Sequence, residues 1–87
     1  MSSASSVKQV VEVLARALTD HSEQVHVSES QQRGTTLVEL YVAPGELGRV
    51  IGKQGRTAAA LRTLAASAGE KEGKTVTLEI RDTPYKG

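Results

Sequence analysis

The chain has 87 residues, enough for one small domain and too few for two. It contains no cysteine, which excludes disulfides, thiol nucleophiles and cysteine-ligated zinc. A formal net charge of +1 argues against general adhesion to polyanions, yet the charge is uneven: no acid falls between Glu46 and Glu70, where Arg49, Lys53, Arg56 and Arg62 all lie.

Residues 1–5 are small and polar and read as a disordered tail. Ser6 with Gln9 three residues on has the form of a capping box. Val7, Val10, Val11, Leu14 and Leu18 then follow the spacing of an amphipathic helix ending near Thr19 or Asp20. Lys8, Glu12 and Arg16 interrupt this segment, so it is neither a membrane span nor a signal peptide, and a cytoplasmic location is expected. Gln24 to Ser30 alternates weakly through Val25 and Val27 and suits an edge strand; Gln31 to Gly34 is a polar turn. Thr36 to Val42 is a stronger strand, with Val38, Leu40 and Val42 on one face, and the short connection implies an antiparallel hairpin.

Pro44-Gly45-Glu46 stops that strand and opens a short helix through Ile51. After a glycine turn, Arg56 to Ala68 is the clearest helix, with Leu61, Leu64, Ala65 and Ala68 as its expected buried stripe and Gly69 as its expected stop. Glu70 to Lys74 reads as a charged loop, and Thr75 to Arg81 as a third strand alternating through Val76, Leu78 and Ile80. The domain so predicted spans 6–82, followed by a tail over 83–87. The two-helix crossover between the second and third strands requires them to be parallel. The prediction is an α+β domain of order α-β-β-α-α-β, a three-stranded mixed sheet covered on one face by three helices.

The segment Gly48-Arg49-Val50-Ile51-Gly52-Lys53-Gln54-Gly55-Arg56 joins the two central helices. Glycine at both ends of a four-residue turn lets another molecule's backbone approach. Lys53 and Gln54 sit at its tip, and the N-terminus of the next helix favours an anion. None of these residues is a reactive group, and all of them suit holding a phosphate.

Val50 to Arg56, between two helices that strands precede and follow, resembles the signature of a KH domain, and the element order resembles the type II arrangement. The likeness covers about Val7 to Ile80. In length and in the run Ala43-Pro44 to Arg62, the chain is similar to the small bacterial single-KH RNA-binding proteins of the KhpA type. The resemblance implies single-stranded RNA binding without a cofactor, with the glycine loop clamping the nucleotide backbone. Carried over, Gly52, Lys53, Gln54 and Gly55 contact phosphates, Arg49, Arg56 and Arg62 extend the positive field, and Leu47, Val50 and Ile51 supply core and groove wall. Many KH domains have a large aliphatic residue three positions after the second glycine; here it is Ala58, which bears on groove width. The resemblance also implies a homodimer or a heterodimer with a second KH-containing protein, and a regulatory or RNA-chaperone role linked to cell growth. The alternative is a scaffold module whose main role is that pairing.

Two other phosphate or nucleic-acid readings fail. Gly48 to Lys53 is one residue short of an NTPase phosphate loop, Gln54 stands where Ser or Thr would hold magnesium, and a helix precedes it. A helix-turn-helix DNA reader needs a helical core, and here strands flank the pair. With no Phe or Trp and only Tyr41 and Tyr85, the chain lacks an aromatic base-stacking platform. His21 and His26 have no nucleophile or acid pair arranged with them, so no enzyme is expected.

Overall fold

The computed structural model describes residues 6–83; the tail expected over 1–5 and most of the one expected over 83–87 lie outside the described residues. The order is α1 (Ser6–Leu18), β1 (His26–Gln32), β2 (Thr35–Tyr41), α2 (Leu47–Ile51), α3 (Arg56–Lys71) and β3 (Thr75–Arg81). Single 3-10 turns lie at Ser22–Gln24 and Lys53–Gly55. The sheet order is β1-β2-β3, with β1 antiparallel and β3 parallel to β2. This is the α+β arrangement that the element order requires.

β1 starts and ends two residues later than its alternation suggested. Pairing continues through Gln31↔Thr36 and Gln32↔Thr35, so only Arg33 and Gly34 form the turn. Both have positive φ, 46° and 81°, the backbone twist that matches a two-residue hairpin to its strands.

The helices lie on one face of the sheet. α1 packs on β1 and β2, α3 on β3, and α2 on α1 and α3. Val7, Val11 and Ala15 of α1 meet Val38 and Leu40 of β2 and Leu61 and Ala65 of α3 in a continuous core. Val25 precedes β1 but is buried with it. On β3, Leu78 is buried and Val76 and Ile80 pack partly against the core, as the alternation requires.

α3 departs from expectation in two ways. Its buried stripe is Ala58, Leu61, Ala65 and Gly69, whereas Leu64 is 45% exposed. Gly69 is not its stop: the helix continues to Lys71, and Gly73, at φ 69°, ends it. Gly69 serves packing instead, because a Cβ there would run into Val76 Cγ2 and lie 3.1 Å from Lys74 O. The small residue lets α3 lie close on β3.

At this end of the molecule Lys74 joins three segments. Its Nζ lies 3.0 Å from Glu72 Oε1 and 3.2 Å from Glu29 Oε2 on β1. Glu72 Oε2 accepts the Ser6 N–H at 3.0 Å, so the acceptor for the first turn of α1 comes from the far end of α3.

Candidate nucleic-acid interface

The opposite end carries the glycine loop. α2 is a little over one turn long and closes with Gly52 N–H donating to Gly48 O at 2.9 Å. Gly52 then adopts φ 74°, ψ 179°, a conformation essentially restricted to glycine. Gln54 and Gly55 follow in the left-handed region, at φ 57° and 73°. Gly55 N–H donates to Gly52 O at 3.2 Å and closes the turn. The left-handed Gln54 was not foreseeable from composition; its Oε1 accepts from Arg56 Nη2 at 3.1 Å, which fixes the side chain on the loop.

α3 begins at Arg56 with no side-chain cap and no acid in its first turn. The leading N–H groups of a helix have no partner within it and carry a partial positive charge. Here they open beside exposed Lys53 and Gln54. Lys53 and Arg62 have no ion pair among the described residues. Arg62 is exposed, about 9 Å along α3 from Arg56 at 1.5 Å per residue. Leu64, on one side of α3, shares a groove with Val10, Val13 and Leu14 of α1. Helical spacing puts Arg62 on the other side of α3.

Val50 is fully buried, so it supports the loop from inside and does not line the surface. Leu47 and Ile51 are half-buried beside it. Ala58 is 2% exposed, which makes its small side chain a matter of packing under the loop.

Two acids that the sequence did not connect to this region anchor it. Glu46, at the start of α2, is 6% exposed. Its two carboxylate oxygens accept the Asp20 N–H at 3.1 Å each, and Oε1 also accepts the His21 N–H at 3.0 Å. These backbone donors satisfy a charge that burial would otherwise disfavour. Asp20 in turn places Oδ2 2.9 Å from Arg49 Nη2 on α2. The segment after α1 is thus tied to α2 from both sides. Arg49 is therefore not a free cation, although no acid lies near it in the sequence after Glu46. The one sequence signal for Glu46 was an acid at a helix start; nothing local marked Asp20.

The family described as "KhpA/KhpB, KH domain" matches residues 8–80. A protein of Aquifex aeolicus named RNA-binding protein KhpA is 50% identical over 76 residues, covering 87% of this chain and 96% of the relative. A protein of the same name from Clostridium perfringens is 46% identical, covering 85% and 99%. One from Chlamydia muridarum is 40% identical, covering 87% and 97%. Among solved structures, Era in complex with a magnesium-bound nucleotide and a 16S ribosomal RNA segment superposes with a TM-score of 0.60 at 21% identity, over 86% of this chain and 29% of Era. Aquifex aeolicus Era bound to GDP and aluminium fluoride gives 0.61 at 20% identity, over 90% and 31%. These likenesses to Era concern the fold. The curated relatives carry a binding name and no reaction, and the family is a non-enzymatic one. On the match over most of its length, the chain belongs to the KhpA/KhpB KH-domain family.

Proposed function

We propose that this protein binds single-stranded RNA through the Gly52–Gly55 loop, without a cofactor. The observation that carries the reading is the exposed Lys53 beside the uncapped start of α3, with no acid in that helix's first turn. Gly52 and Gly55 keep the loop thin enough for a phosphate to reach backbone N–H groups. Lys53 supplies charge. Gln54, its oxygen held by Arg56, has its amide nitrogen left to donate. Arg56 adds positive charge at the start of α3 and Arg62 adds it further along the helix, and Arg49 stands at the other end of the loop. Leu47, Val50 and Ile51 form the support beneath it. The names of the relatives agree with this reading. It implies a cytoplasmic post-transcriptional or chaperone-type regulator whose output is the fate of an RNA, with a part in the control of cell growth.

The test replaces Lys53 and Gln54 together by Asp. Both side chains are exposed and Asp tolerates the left-handed region, so stability should change by less than about 0.5 kcal/mol. Two carboxylates where phosphates would sit should abolish a measurable shift of single-stranded RNA. A variant that melts normally and binds RNA like the parent would reject the site.

A second reading concerns assembly. Val13 is 66% and Leu64 45% exposed, and they face one groove between α1 and α3. Exposed aliphatic residues grouped in this way favour pairing with a second copy or with another KH protein. Leu64→Glu should convert a dimer to a monomer in sedimentation while circular dichroism shows the fold retained. A parent that is monomeric at high micromolar concentration would reject homodimerisation.

A further inference from the structure

We infer that Asp20 is part of the RNA-facing surface as an internal counter-charge: it holds the place on Arg49 that a phosphate would take, and so sets how tightly and how selectively that surface binds polyanions. The inference rests on the RNA reading above. Arg49 lies one turn before Gly52, and Asp20 Oδ2 is 2.9 Å from its Nη2. Both side chains are more than half exposed, at 56% and 66%, so an incoming phosphate can reach the guanidinium and displace the carboxylate.

The contact is built, because Asp20 cannot drift. Its own N–H is held by both oxygens of buried Glu46, and the next N–H, of His21, is held by the same carboxylate. Glu46 begins α2, and Arg49 N–H donates to Glu46 O at 3.0 Å. One anchor therefore fixes the backbone that carries the anion and the helix that carries the cation. Within the acid-free segment, Arg49 is the one basic residue given a carboxylate among the described residues. A single weak anion cannot easily exchange with a tethered carboxylate. An RNA already held at Lys53 can, because its next phosphate arrives at high effective concentration. Asp20 thus selects for a chain of phosphates over a lone one.

The experiment measures binding of a short mixed-sequence single-stranded RNA, and competition by inorganic phosphate, for the full chain and for D20N, D20S, R49Q and D20N/R49Q. Both Asp20 variants keep the N–H that Glu46 holds, and melting curves check that each is folded. D20N and D20S should bind RNA roughly fivefold more tightly, with a salt slope steeper by about 0.7, the value for one more phosphate on a single strand. Inorganic phosphate should compete better against them than against the parent. In the R49Q background D20N should change nothing. Folded Asp20 variants with unchanged or weaker binding overturn the inference, as does an equal gain in the R49Q background, which would mean a diffuse field effect. The K53D/Q54D variant on the same RNA separates the two readings. If it loses binding while D20N gains none, the inference fails alone. If it binds like the parent while D20N gains through Arg49, the loop reading fails, the counter-charge on Arg49 stands, and the selectivity argued from Lys53 falls with the loop. If no form binds RNA, D20N included, both fail.

Discussion

Gly52 and Thr57 pack so closely across the start of α3 that a Cβ on Gly52 would run into Thr57 Oγ1 and lie 2.7 Å from Thr57 Cβ. At Gly55, by contrast, a Cβ would meet nothing within 4 Å. The two loop glycines are therefore required for different reasons. Gly55 needs its left-handed φ of 73°, which Asn also tolerates; Gly52 needs both its φ of 74° and the empty space. Gly52→Ala should cost about 2 to 4 kcal/mol, combining backbone strain with displacement of Thr57. Gly55→Asn should cost less than about 1 kcal/mol. Thermal melts of the pair check this, and equal losses would contradict the asymmetry.

On the proposed reading, salt dependence reports how many phosphates the loop engages. With Lys53, Arg56 and the α3 terminus available, two or three contacts at a slope of about −0.7 each should lower affinity roughly tenfold between about 50 and 200 mM salt. A titration across that range gives the slope directly. A flat response would mean that no phosphate is held.

Glu46 should matter to stability more than any exposed acid. Glu46→Ala leaves the Asp20 and His21 N–H groups without their shared acceptor, a loss of about 3 kcal/mol for charge-assisted bonds. Glu46→Gln keeps one acceptor oxygen and should lose about 1 kcal/mol. Denaturant unfolding of both variants tests the order, and a neutral Glu46→Ala would show that the anchor is idle.

The Glu29–Lys74–Glu72 group predicts a pH window. The Ser6 N–H, then the Lys74 ammonium, hold the Glu72 carboxyl below its usual 4.5. Glu72, then Glu29, push the Lys74 ammonium above its usual 10.5. A depressed carboxyl stabilises the fold above its unfolded pKa, and that contribution goes as pH falls through the folded value. A raised ammonium stabilises below its unfolded pKa, and that contribution goes as pH rises through the folded value. Stability from this group should therefore be flat between about 5 and 10 and fall at both ends. Lys74→Met should remove the alkaline limb and also destabilise at neutral pH, because Glu29 Oε1 is buried without a hydrogen-bond partner among the described residues and its other oxygen would lose the ammonium. Melting temperature against pH for the parent and Lys74→Met checks both statements.

What the sequence revealed was whatever depends on near neighbours. The Val7-to-Leu18 spacing, the Val76-Leu78-Ile80 alternation and the two-glycine turn are local, and they led to the element order and the mixed sheet. Gly69 misled because glycine has two uses, and only the proximity of Val76 tells a packing glycine from a helix stop. Leu64 misled because Leu61, Leu64, Ala65 and Ala68 also form a helical stripe; the sheet takes the neighbouring one centred on Ala65. At the loop, Lys53 and Gln54 were legible from their place between the glycines. The Asp20–Arg49 pair and the donors to Glu46 were not, because tertiary contact between α1 and α2 creates them. The groove between α1 and α3 was not legible: Leu64 read as core, and exposed Val13 lies on the other helix.

The parallel pairing of β2 with β3 has a consequence for timing. Thr35 meets Thr75 and Tyr41 meets Arg81, so the glycine loop lies inside the segment that the sheet must close around. A ribosome-bound chain translated only as far as α3 has the loop's residues but not the strand on which Gly69 and Leu61 seat the helix. Such long-range strand pairing forms late and cooperatively. The helix that follows the loop is therefore seated only once Thr75–Arg81 is available to pair with β2. On the RNA reading proposed above, a chain still lacking that strand would have no seated loop to offer a phosphate.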